Sequence, residues 1–126
     1  MRSAKVERNT GETAIQVELA LDDVAKGSYK TGLPFFDHML EQFAKHGQFD
    51  ITIKSFGDLE IDQHHTIEDV AIALGEAFKS ALGDRKNIER YSIYNNLFFC
   101  NFRINIDSCR KIFVCDSTIF FNIAYN

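Results

Sequence analysis

Nowhere in the 126 residues does an apolar run approach the roughly 20 residues of a membrane span, and no signal-peptide pattern opens the chain. The expectation is a cytoplasmic protein without a membrane partner. A cationic surface is missing too: 14 Lys and Arg stand against 18 Asp and Glu, a formal net charge of −4. That argues against a nucleic-acid partner, since such binders meet phosphate with a basic face. Cysteine is scarce. Cys100, Cys109 and Cys115 are odd in number and never spaced as CxxC, so neither a disulfide framework nor a zinc knuckle is indicated. Proline occurs once, at Pro34, and no histidine follows His65.

What is present is the mix of an ordinary globular domain, 45% hydrophobic and 25% charged, at a length that suits one domain. The chain nevertheless changes character near Ser92. Residues 1–92 hold 16 of the 18 acidic side chains and all seven glycines, while all three cysteines lie beyond them. Phe, Ile, Asn and Tyr supply 20 of the last 34 residues. No Pro/Gly/Ser linker marks the change, so two parts are expected, 1–92 and 93–126, without an ordinary domain boundary between them.

Alternation of Ile15, Val17, Leu19 and Leu21 against Gln16, Glu18 and Ala20 predicts a half-buried strand over 13–21. Residues 3–9 are its expected hairpin partner, with the turn near Thr10-Gly11. Pro34 suits the first turn of a helix, whose apolar stripe is Phe36, Met39, Leu40 and Phe43 and whose other face holds His38, Gln42, Lys45 and His46. Residues 50–56 read as a strand, with Ile51 and Ile53 on one face and Gly57-Asp58 at its end. The strongest helical spacing is Ile67, Val70, Ala71, Leu74, Phe78, Ala81 and Leu82. Gly83 occupies the C-terminal capping slot. Two N-caps fit this helix: Asp62, or Thr66 with Asp69 in a capping-box position. The tail holds two β-prone runs, 97–107 and 111–121.

Asp62-Gln63-His64-His65-Thr66-Ile67-Glu68-Asp69 is the densest polar cluster. On a helix His64 and Glu68, four apart, lie about 40° from each other around the axis, and His65 about 100° from His64. His64 and Glu68 could therefore hold one metal ion while His65 serves a second ion or a substrate. Imidazole with carboxylate suits Mn, Fe, Ni or Zn, and the order is wrong for HExxH. A metal-dependent hydrolase fits these residues as well. So does the bland reading of two surface histidines at a helix start. His38 and His46 are two turns apart, about 12 Å, too far to share an ion. The charged run Glu7-Arg8-Asn9-Thr10-Gly11-Glu12-Thr13 is either a solvated hairpin turn or a loop that reaches into the site through Arg8 or Glu12.

Glu7-Arg8-Asn9-Thr10-Gly11-Glu12-Thr13, Phe36-Asp37-His38-Met39-Leu40 with His46, Asp62-Gln63-His64-His65-Thr66-Ile67-Glu68-Asp69, and Glu89-Arg90-Tyr91 occur in the order found in imidazoleglycerol-phosphate dehydratases, and residues 5–91 resemble the first half of that family. The resemblance implies an α/β fold of the α+β sandwich kind, a β-sheet packed on two helices, repeated in a second similar half. It implies a hydro-lyase of histidine biosynthesis, which removes water from imidazoleglycerol phosphate to give imidazole acetol phosphate. Two Mn²⁺ ions per site would hold the imidazole ring as an electron reservoir while hydroxide leaves. By motif, His38 and His65 would ligate one ion and His64 and Glu68 the other. Glu12, His38, His46, His64, His65, Glu68 and Arg90 would touch the small phosphate substrate, with Arg90 on the phosphate. Glu12, His64, His65 and Glu68 would be catalytic, Glu12 taking or relaying the carbon-bound proton. The family forms homo-oligomeric, octahedral 24-subunit shells of trimers with active sites between subunits.

The family's second half carries a further HHxxE motif, which residues 93–126 do not contain. Two readings stand for this tail. Ile106-Asp107-Ser108-Cys109-Arg110 resembles the family's Asp-x-Ser-Gly-Arg strand with the glycine lost, which would make Arg110 a second phosphate ligand. Alternatively, the tail is an out-of-frame or degenerate ending, which its Phe/Ile/Asn/Tyr composition suits. The expected function is then an impaired dehydratase, or a non-catalytic metal-binding remnant.

Overall fold

Alternating burial along two adjacent segments builds the centre of the fold. The computed structural model describes residues 1–23, 26–84, 91–95, 101–105, 111–116 and 119–120, apart from the side chains of His46 and of the residues from 91 onward. Strand β1 (Ser3–Asn9) turns through Thr10–Glu12 into β2 (Thr13–Ala20), and the two pair antiparallel, with Val6 opposite Val17. The Thr10 hydroxyl closes the turn by accepting the N–H groups of Glu12 and Thr13 at 3.2 and 3.0 Å. Such hydroxyl-to-backbone bonds are why threonine favours turns. On β2, Ile15, Val17 and Leu19 are buried while Ala14 and Glu18 are exposed, the period-2 pattern of a sheet with one wet face.

Next come the short β3 (Ser28–Lys30), helix α1 (Pro34–Gly47) and β4 (Asp50–Gly57). β4 pairs antiparallel with β2, placing Ile53 opposite Val17 and Ile51 opposite Leu19, and parallel with β3. The sheet order is β1-β2-β4-β3. β3 was not anticipated; three residues, Ser-Tyr-Lys, are too few to display a period. Helix α2 (His64–Leu82) packs on β1, β2 and β4, and α1 on β3 and β4. The rings of Phe43, Phe49 and Phe78 join the two helices edge to face, with centroids 5.1, 5.2 and 5.9 Å apart. Such aromatic pairs add about 0.5–1.5 kcal/mol beyond their buried area. A mixed four-stranded sheet with two helices is the α+β architecture that the resemblance implied.

Two details of α2 differ from expectation. Its buried face consists of Thr66, Asp69, Val70, Ala73, Leu74, Ala77 and Ala81, rotated from the apolar stripe so that Ile67, Ala71, Phe78 and Leu82 are only half-buried. Small Ala73 and Ala77 let the helix sit close to the sheet, and two polar residues share that face. The N-cap position belongs to Gln63, with no side-chain cap bond. Asp62 acts one step earlier, accepting the His64 N–H at 2.9 Å, while Thr66 and Asp69 are packed inside rather than capping. Gly83 does end the helix, at φ 56°, where a Cβ would be strained. Gly57 is required for another reason: a Cβ there would collide with the Thr66 side chain.

Residues 1–83 form one compact unit and 84–126 another. In the second unit β5 (Tyr91–Asn95), β6 (Asn101–Asn105), β7 (Lys111–Asp116) and β8 (Ile119–Phe120) make an antiparallel sheet in sequence order. β6 lies in the first β-prone run and β7 and β8 in the second; β5 was not anticipated. No helix among the described residues is long and apolar enough to cross a membrane.

Candidate metal centre

The first turn of α2 carries the candidate metal ligands. Asp62 fixes its start, so His64 and Glu68 fall one above the other, with Nε2 of His64 3.3 Å from Oε2 of Glu68. Both side chains are well exposed, 71% and 50%. As an ion pair this contact is worth little. As a pair of donors it is well spaced: metal–ligand bonds of about 2.1 Å at right angles put neighbouring donors about 3 Å apart. Imidazole nitrogen plus carboxylate oxygen is also a donor set that fits Mn²⁺.

His65 faces elsewhere, as its position around the axis requires. Its Nδ1 lies 2.8 Å from Oδ2 of Asp58, at the end of β4. The Asp58 hydrogen bond, reinforced by its charge and those of Glu12 and Asp62, raises the His65 pKa above the ordinary histidine value. Asp58 is a candidate-site residue that sequence reasoning missed, since the sequence shows it only at the end of a strand. The two imidazole rings stand 6.2 Å apart, 61° to one another.

Beneath this turn, buried Asp69 accepts from the Thr13 hydroxyl at 2.5 Å, from Arg8 Nε at 3.0 Å and from the Thr10 hydroxyl at 3.4 Å. The charged hairpin run thus splits in two. Arg8, Thr10 and Thr13 tie the β1–β2 turn to α2, and Glu12 is left exposed near His65, close enough for its charge to act on that ring. The sequence offered Arg8 or Glu12 as the residue reaching the site; Arg8 donates to Asp69.

His38 is exposed on α1. Among the described residues no group of three or more His, Cys, Asp or Glu side chains is placed to hold a metal ion. His46 lies in α1, but its side chain is outside the described residues, as are Arg90 and Arg110 altogether.

Comparison with known proteins bears on the family and the fold. The family model described as imidazoleglycerol-phosphate dehydratase matches residues 31–116. The histidine biosynthesis bifunctional protein HisB of Xanthomonas oryzae pv. oryzae is 61% identical over 90 residues, 71% of this chain and 24% of that protein. The imidazoleglycerol-phosphate dehydratase of Chromobacterium violaceum is 55% identical over 91 residues, 72% of this chain and 46% of that protein. The crystal structure of imidazoleglycerol-phosphate dehydratase from Staphylococcus aureus subsp. aureus superposes with a TM-score of 0.63 at 25% identity, over 80% of this chain and 54% of that one. The chain spans about a quarter of the bifunctional relative and about half of the two dehydratases. On the family match and the shared fold together, the chain belongs to the imidazoleglycerol-phosphate dehydratase family.

Proposed function

We propose that residues 1–92 are the first half of an imidazoleglycerol-phosphate dehydratase and carry half of its metal site. The observation that supports this best is the divided first turn of α2, with His64 turned to Glu68 and His65 turned away to Asp58. His64 with Glu68 would hold one Mn²⁺ and His65 with His38 the other, and bound Mn²⁺ supplies the Lewis acidity that lets an imidazole ring accept electron density as hydroxide leaves the side chain. His38 would reach its ion across a contact between copies in a homo-oligomeric shell, in a cytoplasmic enzyme of histidine biosynthesis.

The remaining work falls to the chain's own groups. Glu12, exposed beside His65, takes the carbon-bound proton or relays it. The Asp69 network keeps the turn that carries Glu12 on the helix that carries the histidines. His46 helps orient the substrate. Arg90 holds the phosphate, a task to which the guanidinium fork is suited, and Arg110 would be a second contact to it. The test is Mn²⁺ titration of the 126-residue chain, followed by electron paramagnetic resonance. Binding should be weak in the parent and lost in His64→Ala and Glu68→Ala. Equal binding by parent and variants would refute the metal site.

A further inference from the structure

We infer that Asp58 is a positioning residue that locks His65 into the tautomer protonated on Nδ1 and leaves Nε2 as its open, electron-donating nitrogen. The inference rests on the metal-site reading above and names the group that prepares one ligand. An ionised carboxylate only accepts hydrogen bonds. With Oδ2 of Asp58 2.8 Å from Nδ1 of His65, the ring's proton must sit on Nδ1, so in the neutral ring the lone pair is on Nε2. The outer partner of a metal-binding histidine fixes its tautomer and orientation in this way.

Three observations make Asp58 more than a passing contact. Its backbone carbonyl accepts the N–H groups of Ile61 and Asp62 at 2.8 and 3.2 Å, which holds the residue in the turn between β4 and α2. Its side chain is only 15% exposed against 40% for His65, so the carboxylate forms the inner wall and the imidazole the outer one. Its other oxygen, Oδ1, is buried and has no hydrogen-bond partner among the described residues. The carboxylate is therefore devoted to His65. His64, whose Nε2 faces Glu68, has no such inner partner among the described contacts.

The test is nitrogen NMR of the ¹⁵N-labelled 126-residue chain without metal, at alkaline pH where the imidazoles are neutral. His65 should show a protonated Nδ1 and an unprotonated Nε2. Asp58→Ala should move it toward the form protonated on Nε2 that an unconstrained imidazole prefers, and Asp58→Glu should restore part of the parental signature. Unchanged methyl signals of Ile51 and Ile53 would show that each variant is folded. Manganese is then added. His65 should be broadened in the parent, and Asp58→Ala should need about 10-fold more Mn²⁺ for the same effect. A parent whose His65 is protonated on Nε2 overturns the inference whatever the metal does, and so does an unchanged tautomer in Asp58→Ala. If the tautomer is as inferred but Mn²⁺ broadens neither histidine, the metal-site reading fails and the Asp58 lock stands.

Discussion

Asp69 shows how one side chain organises a site that it does not enter. It gathers three hydroxyl or guanidinium donors from the β1–β2 hairpin onto the second turn of α2. Its side chain is 12% exposed and that of Arg8 26%, so removing one partner strands the others largely out of water. Asp69→Ala should cost about 2–4 kcal/mol by urea denaturation, between a single lost charged hydrogen bond and a fully buried ion pair. A loss below about 1 kcal/mol would show the network to be dispensable. Arg2 and Asp22 give the contrasting case at the surface. Four polar contacts of 2.6–3.3 Å join them, and the Arg2 side chain, then its backbone N–H, bring the Asp22 pKa from 3.8 to about 2. A depressed carboxylate stabilises the fold above its unfolded pKa, and that contribution fades as pH falls toward the folded value. The tie between the start of β1 and the end of β2 should therefore persist at pH 4 and loosen toward pH 2. The Asp22 carboxyl should titrate by NMR near 2 in the parent and return toward 3.8 in Arg2→Ala.

Among the elements, α2 carries both the core and the site, and its two faces can be probed separately. Leu74 is 3% exposed, and Leu74→Ala should cost about 2–5 kcal/mol. Phe78 is half-buried within the aromatic trio, so Phe78→Ala should fall near about 3 kcal/mol, the lower end for phenylalanine. Chemical denaturation measures both, and a Leu74 loss under about 1 kcal/mol would contradict the observed face. The β1–β2 hairpin, α1, β4 and the glycine end of α2 were legible in the sequence because each announces itself through alternation, periodicity or a terminal glycine. The rotation of α2 was not, because apolar periodicity cannot see that Thr66 and Asp69 are buried with Ala73 and Ala77. In the site, the division of His64 from His65 follows from helix geometry alone. Asp58 does not, since a carboxylate in a turn acquires its role only by facing His65 in space.

At the scale of the whole molecule, the proposed metal site sets an expectation for activity. The resemblance supplies two protein ligands per ion, and within these 126 residues no histidine follows His65. Ions held by so few ligands are poorly fixed, and a misplacement of about 1 Å can cost on the order of 100-fold in rate. Copies of this chain cannot make good the deficit, because each has the same four histidines. The 126-residue chain should therefore fail to support growth of a histidine auxotroph lacking the dehydratase, and should show little turnover with Mn²⁺ in vitro. Normal growth would mean that residues 93–126 provide donors of another kind.

The strand order also sets a clock. In β1-β2-β4-β3 the two inner strands are paired on both sides and bring Val17, Ile51 and Ile53 together at 0% exposure, whereas β3 has three residues and one neighbour. Local openings follow such differences in protection. In deuterated solvent the amides of β3 should exchange first, and those shared by β2 and β4 last. The region into which the helix start is tied, through Thr13 at the head of β2, thus belongs to the slowest-opening part of the sheet. His64 stands on the surface and His65 is partly exposed beside it, but the frame beneath them lets go last.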